Sequence, residues 1–308
     1  MKKFVILADA TCDLSPELKE RFKIDEIIET TVTLPDESNI KVDTTWPIDQ
    51  DKFYQDLKNK KKYVTGAPSP ERFKEAFIKY ASTGVDVLLL TISSGLSATY
   101  NFAKEAADEV NNKGYEGKIY VVDSLRYSTA ELLLLIFASN YREEGKSIEE
   151  TVACLENDKH HLHQAGPMDD LMYLARAGRI SAGKAFMGTL VGVNPIGEIN
   201  RNGITQVLCK VKGSKKALQT AVDYAKATIV DPQNQIVIVA NSNRKEKAKM
   251  LEQMIKEQIN PREIIVTDIG LACAPNVGPG LCACYYYGTE LSEDLSKEKA
   301  IFDKITAK

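Results

Sequence analysis

Hydroxyl side chains gather where apolar runs end. Ser93-Ser94-Gly95-Leu96-Ser97 follows the run Val85–Ile92, Asp123-Ser124 follows Lys118–Val122, and Asp9-Ala10-Thr11-Cys12-Asp13 follows Lys3–Ala8. Another loop, Thr65-Gly66-Ala67-Pro68-Ser69-Pro70, precedes a helical stretch at Glu71. Hydroxyls beside the free N–H groups of helix starts suit an oxyanion, a carboxylate or a phosphate, and Gly95 lets the backbone approach it. The alternative is that these hydroxyls only cap helices, their commonest role at such places. Two adjacent serines with a glycine at one strand exit exceed what a cap needs. Asp9 and Asp13 read as surface turn carboxylates, or as ligands for a cation.

Standard catalytic signatures are missing: no G-x-S-x-G elbow, no G-x-x-x-x-G-K-[ST] loop and no G-x-G-x-x-G. The three histidines, 160, 161 and 163, share one stretch, so a Ser-His-Asp triad would draw its base from there. His160 and His163 would share a helix face, but no H-E-x-x-H or C-x-x-C accompanies them. Histidines solvated or hydrogen-bonded near a helix end are expected, with no metal site and no cofactor. Cys282-Ala-Cys284 is the tightest spacing among six cysteines and reads as small apolar fillers of a buried strand.

The elements that must position these loops show in the patterning. Lys3–Ala8, Val85–Ile92, Lys118–Val122, Gln235–Ala240 and Glu263–Val266 are short apolar runs, as strands buried on both faces should be. Helical spacing fills Glu71–Ala81, Ala98–Asn111, Ser128–Arg142, Ser147–Asn157, Lys215–Thr228 and Arg244–Gln258. Ser147 with Glu150 forms a capping box, and Ser15-Pro16 a helix start. Strand–helix alternation predicts α/β architecture with parallel strands. From His161 to Cys209 glycines and prolines interrupt this order, and Gly197–Ile204 looks like a hairpin or meander turn. The expected organisation is a mostly parallel α/β domain, 1–163, and an α+β domain, 164–308.

Composition narrows the function. The 308 residues are 44% hydrophobic and 27% charged with a formal net charge of −3, an ordinary globular balance that disfavours a nucleic-acid binder. No stretch approaches the ~20 apolar residues of a membrane span, so a cytoplasmic location is expected.

In order along the chain, A-T-C-D-L (10–14), T-G-A-P-S-P (65–70), I-S-S-G-L-S-A-T-Y (92–100), V-V-D-S (121–124), D-D-L-M-Y-L-A-R-A-G-R-I-S (169–181), N-P-I (194–196) and N-V-G-P-G (276–280) resemble the DegV family of bacterial fatty-acid-binding proteins. The resemblance implies two domains enclosing a long-chain fatty acid in a lipid tunnel. The carboxylate lies between the lobes, held by Thr65, Ser93 and Ser94, with Asn276 nearby. Gly95, Arg179, Ile180, Phe186, Met187, Leu190, Gly278 and Gly280 would lie near the pocket. Family members present the acid to a kinase subunit that makes acyl phosphate. Two positions depart from the pattern: Asn276 stands where histidine is frequent, and Lys212 where arginine is common. An amide hydrogen-bonds but carries no proton, and a lysine lacks the bidentate fork.

The residues 180–193 have the small and flexible apolar character of a tunnel wall, and equally of a core helix. The cluster Lys210, Lys212, Lys215 and Lys216 is a solvated face or, through Lys212 and Lys215, a dock for an acidic partner. Two other functions compete with the carrier: an acyl-ester hydrolase or transferase using Ser93 or Ser94, and a regulatory protein without a ligand.

Overall fold

The computed structural model describes residues 4–180 and 192–307. In the N-terminal part the order is β1 (Phe4–Asp9), α1 (Pro16–Arg21), β2 (Glu26–Ile28), β3 (Thr30–Thr33), β4 (Asn39–Val42), α2 (Gln50–Lys58), β5 (Val64–Gly66), α3 (Pro70–Ala81), β6 (Asp86–Thr91), α4 (Thr99–Asn112), β7 (Ile119–Asp123), α5 (Thr129–Glu143) and α6 (Ile148–Asp158). Strands β2-β1-β6-β7 form a parallel sheet in that order. Successive side chains point to opposite faces, so Leu7, Val87 and Leu89 meet Phe73, Phe77 and Ala103 of α3 and α4 on one side. The other face is covered by α5 and α6. Both faces are therefore buried, which is why these strands lack polar alternation. Helix α5, TAELLLLIFASNYRE, is buried along most of its length, as an almost wholly apolar helix must be. Strands β4-β3-β5 make a separate antiparallel sheet.

The C-terminal part continues with β8 (Leu162–Ala165), α7 (Met172–Ala177), β9 (Val193–Ile199), β10 (Thr205–Lys212), α8 (Ser214–Thr228), β11 (Ile236–Asn241), α9 (Lys245–Gln258), β12 (Glu263–Asp268), α10 (Ala274–Val277), β13 (Cys282–Tyr287) and α11 (Ser296–Thr306). Its sheet is β12-β11-β13-β8, with β11 and β12 parallel and the other pairings antiparallel. The hairpin β9–β10 turns at Asn200–Gly203 as the glycine pattern predicts. The core gathers Leu218, Ala221 and Val222 of α8 with Val237, Val239, Tyr286 and Phe302.

The chain divides into two compact units at places the sequence does not mark. The first holds the described residues up to Lys159 together with Gly270–Pro275, and the second holds His160–Ile269 and the residues from Asn276 onward. The predicted cut at 163 falls inside β8, which pairs with β13 and so belongs to the second unit. Residues 270–275 go with the first unit because the Gly270 N–H donates to Asp13 at 2.7 Å and the Cys273 thiol to the Thr11 carbonyl. Among the described residues no helix is long and apolar enough to cross a membrane.

Candidate functional site

The chain leaves β1 toward β2 on one side, while β6 leads to β7 on the other. Neighbouring strands whose continuations diverge open a crevice at their carboxyl ends, the usual ligand site of such sheets. Three loops meet there: 10–15 after β1, 92–98 after β6 and 124–128 after β7.

Ser93 sits at the first turn of its loop with no exposed surface. Its N–H donates to the Arg126 carbonyl at 2.7 Å, and its hydroxyl oxygen accepts from Gly95 N–H at 3.1 Å. That leaves the hydroxyl proton for an acceptor. Ser94 is exposed, and its N–H donates to Asp123 Oδ1 at 3.1 Å. Helix α4 begins just beyond, with the Ser97 hydroxyl accepting the Thr99 N–H at 3.3 Å and no acid in the first turn. Its positive end is not neutralised by its own sequence. Gly95 is exposed beside it.

The supporting loops are held tightly. Asp13, Leu125 and Ser128 all adopt positive φ, of 50°, 49° and 58°. Such backbone persists only where surrounding bonds over-determine it. Here Asp13 accepts from the Ser128 and Thr129 hydroxyls, and the Ser124 hydroxyl donates to the Arg126 carbonyl and accepts the Arg126 N–H. Asp9 accepts the Ile92 N–H at 2.7 Å, directly before Ser93. Asp9 and Asp13 are thus not surface carboxylates: their exposures are 1% and 4%. The reason is that β1 is an interior strand, so its exit loop is covered by its neighbours. Among the described residues no three His, Cys, Asp or Glu side chains are placed to hold a metal ion.

Thr65 lies in the middle of β5, opposite Val32 of β3 and half-buried, on a different sheet from the two serines but in the same unit. Asn276 is half-buried in α10 and belongs to the second unit, as do Arg179, Ile180, Gly278 and Gly280. Arg179 is exposed after the left-handed Gly178 that ends α7, and Ile180 bridges Thr205. The two glycines have packing reasons. A Cβ on Gly278, at φ +70°, would lie 2.2 Å from the Tyr173 ring, and one on Gly280 would lie 2.6 Å from Asp169. Asp169 in turn pairs with Arg244 and Lys247 of the second unit. Lys212 and Lys215 are exposed at the end of β10 and the start of α8. Phe186, Met187 and Leu190 lie outside the described residues, with the rest of 181–191.

The histidines do not share a helix face. Helix α6 stops at Asp158, and His163 lies in β8 with no exposed surface, between Glu198, Tyr224 and the Thr289 carbonyl. His161 bonds the Gly288 carbonyl and stacks on Tyr287. Cys282 and Cys284 are buried free thiols in β13, and burial pushes Cys282 up to about 12. Sequence reasoning named Thr11 only as a loop hydroxyl and missed Glu131, its partner. The Thr11 hydroxyl bonds Asp9 at 2.5 Å and Glu131 at 2.8 Å. Glu131 is the lone acid in the first turn of the apolar α5, a pattern that marks a buried carboxyl.

A family model described as "Uncharacterised protein, DegV family" matches residues 3–289. A DegV domain-containing protein of Clostridium perfringens is 31% identical over 293 residues, 94% of this chain and 98% of that protein. Among solved structures, the chain resembles one described as fatty acid binding of a DegV family protein from Thermus thermophilus. That one is 26% identical with a TM-score of 0.83, covering 94% of this chain and 100% of the other. A DegV lipid binding protein from Thermotoga maritima is 27% identical with a TM-score of 0.80, covering 94% and 99%.

Proposed function

The chain belongs to the DegV family, and from that premise we propose that it carries a long-chain fatty acid. The carboxylate is held by Thr65, Ser93 and Ser94, and the acyl chain is buried in an apolar tunnel. The observation that carries this is the buried Ser93 hydroxyl at the crevice of the parallel sheet, with its proton unassigned and the acid-free α4 start beside it. The relatives from Thermus thermophilus and Thermotoga maritima are described as binding fatty acid or lipid.

The physics divides between the two ends of the ligand. A chain of about fourteen methylenes gains roughly 11 kcal/mol on full burial at ~0.8 kcal/mol each, of which ordering and association offset a large part. The tail supplies affinity. The hydroxyls and helix N–H groups supply orientation and a place for the charge.

The carrier presents its acid to a fatty-acid kinase, with Lys212 and Lys215 facing the partner. The family resemblance supports that step. With Asn276 in place of histidine, the kinase takes no proton from that position. The competing hydrolase would need a base for Ser93 or Ser94, and His161 and His163 are committed to partners inside the second unit. The test is titration with a fluorescent fatty acid. Thr65→Ala with Ser93→Ala should weaken binding at least about tenfold, since each bond to a charged group is worth about 1.5–3 kcal/mol. Unchanged affinity removes the assigned head-group site, and ester turnover that vanishes in Ser94→Ala establishes the enzyme instead. Charge reversal at Lys212 and Lys215 should weaken kinase coupling and leave fatty-acid affinity intact.

A further inference from the structure

Thr11 places one hydroxyl between two carboxyl groups, 2.5 Å from Asp9 Oδ1 and 2.8 Å from Glu131 Oε2. A hydroxyl has a single proton to donate, so the second contact closes only when one of the acids brings its own. The surroundings decide which acid that is. Asp9 accepts from three donors: the Thr11 N–H at 2.8 Å, the Thr11 hydroxyl and the Ile92 N–H at 2.7 Å. That is the environment of an ionised carboxylate. Glu131 is fully buried, and its Oε1 has no hydrogen-bond partner among the described residues. An ionised carboxylate left in that state is far costlier than a neutral acid with one idle carbonyl oxygen.

We propose that Glu131 is a carboxylic acid at neutral pH, and that the chain from the Glu131 O–H through the Thr11 O–H to Asp9 positions the Ile92–Ser93 backbone, making the strand-exit site sensitive to pH. The positioning half rests on the fatty-acid reading; the proton does not.

The groups that face Glu131 agree. Asp9 and Asp13 act from the end of β1 and its loop, and Asp123 from the end of β7, all negative. Cys12 from the β1 loop and Cys273 from residues 270–275 feel the same field, and burial pushes both thiols up so that they stay neutral. Asp13 accepts from the Ser128 and Thr129 hydroxyls and from the Gly270 N–H. Burial first, and the neighbouring aspartates second, hold Glu131 well above the ordinary carboxyl range. Burial also raises Asp9, against which its three hydrogen bonds act.

The sign of the pH effect follows. Folded Glu131 keeps its proton where the unfolded chain has lost it, so stability is fullest below the ordinary glutamate range and is lost as pH rises toward the folded value. Glu131→Gln escapes this, because its amide N–H donates to Thr11 as the acid O–H does and never ionises.

Three measurements on the full chain test the proposal. Urea unfolding of wild type and Glu131→Gln from about pH 5 to about pH 8 should show the wild-type midpoint falling relative to the variant as pH rises. Parallel curves overturn the stored proton. Should the variant not fold, a carbon-detected titration of the wild-type glutamate carboxyl groups decides: one still protonated at neutral pH is expected, and all ionised overturns it. Binding of cis-parinaric acid should weaken toward alkaline pH in wild type more steeply than in Glu131→Gln. Equal slopes overturn the positioning role. A wild type that binds no parinaric acid at any pH overturns the fatty-acid reading, and the first two measurements then stand alone on the proton.

Discussion

The two units bury carboxyl groups in opposite ways. In the second, Glu198 is met on every side: Oε1 accepts the N–H groups of Gln164 and Ile199, and Oε2 faces His163 Nδ1 at 3.1 Å and the Tyr224 hydroxyl at 3.2 Å. The other ring nitrogen of His163 lies 2.7 Å from the Thr289 carbonyl, and Tyr286 stacks on the ring. In the first unit Asp9, Asp13 and Glu131 crowd one another, met by hydroxyls and backbone N–H groups, and Glu131 Oε1 is left idle. A saturated network pins strands and a helix together. A crowded, half-satisfied one sits beside strained loops at the mouth of a sheet crevice.

Substitutions break or sharpen that contrast. Glu198→Ala leaves His163 and two backbone N–H groups without their partner and should destabilise the chain by about 3–5 kcal/mol in urea unfolding. A much smaller loss would make this network no more a pin than the other. Ser93→Ala should act the other way round, costing about 1.5–3 kcal/mol of fatty-acid affinity with little change in unfolding midpoint. Lost stability with intact affinity would turn the first region into scaffold as well. Gly278→Ala pushes a Cβ into Tyr173 and should destabilise by about 1–3 kcal/mol, with partial recovery when Tyr173→Ala is added. No recovery would shift the cause to the positive φ alone. The smallest effect is at Ser147→Ala, about 1 kcal/mol, because the Ser147–Glu150 capping box serves α6 and no site.

Much of this fold was legible in the chain. The five apolar runs became β1, β6, β7, β11 and β12, and the six helical stretches became α3, α4, α5, α6, α8 and α9 within one or two residues at each end. Those elements carry a single clear period, and their ends carry caps such as Ser15, Ser69 and Ser147. Strands β2 to β5 escaped notice because each has three or four residues, too few for alternation to register. The helix in that region, α2, shows Phe53, Tyr54 and Leu57 among charges, a thin apolar stripe whose start is marked by Asp49. Of the site, Ser93 and Ser94 were visible as types at a strand exit. The burial of Asp9 and Asp13 was not, since it depends on β1 lying between β2 and β6. Neither was the return of residues 270–275 to the first unit, which a contact across more than two hundred residues creates. Glu131 could have been found: an acid at the head of so apolar a helix needs either a partner or a proton.

The most direct measurement is of what the chain already holds. Protein purified under native conditions, then denatured and analysed by mass spectrometry, should release a long-chain fatty acid, and Thr65→Ala with Ser93→Ala should release much less. Wild type that releases none and takes up no labelled fatty acid would contradict the carrier function outright.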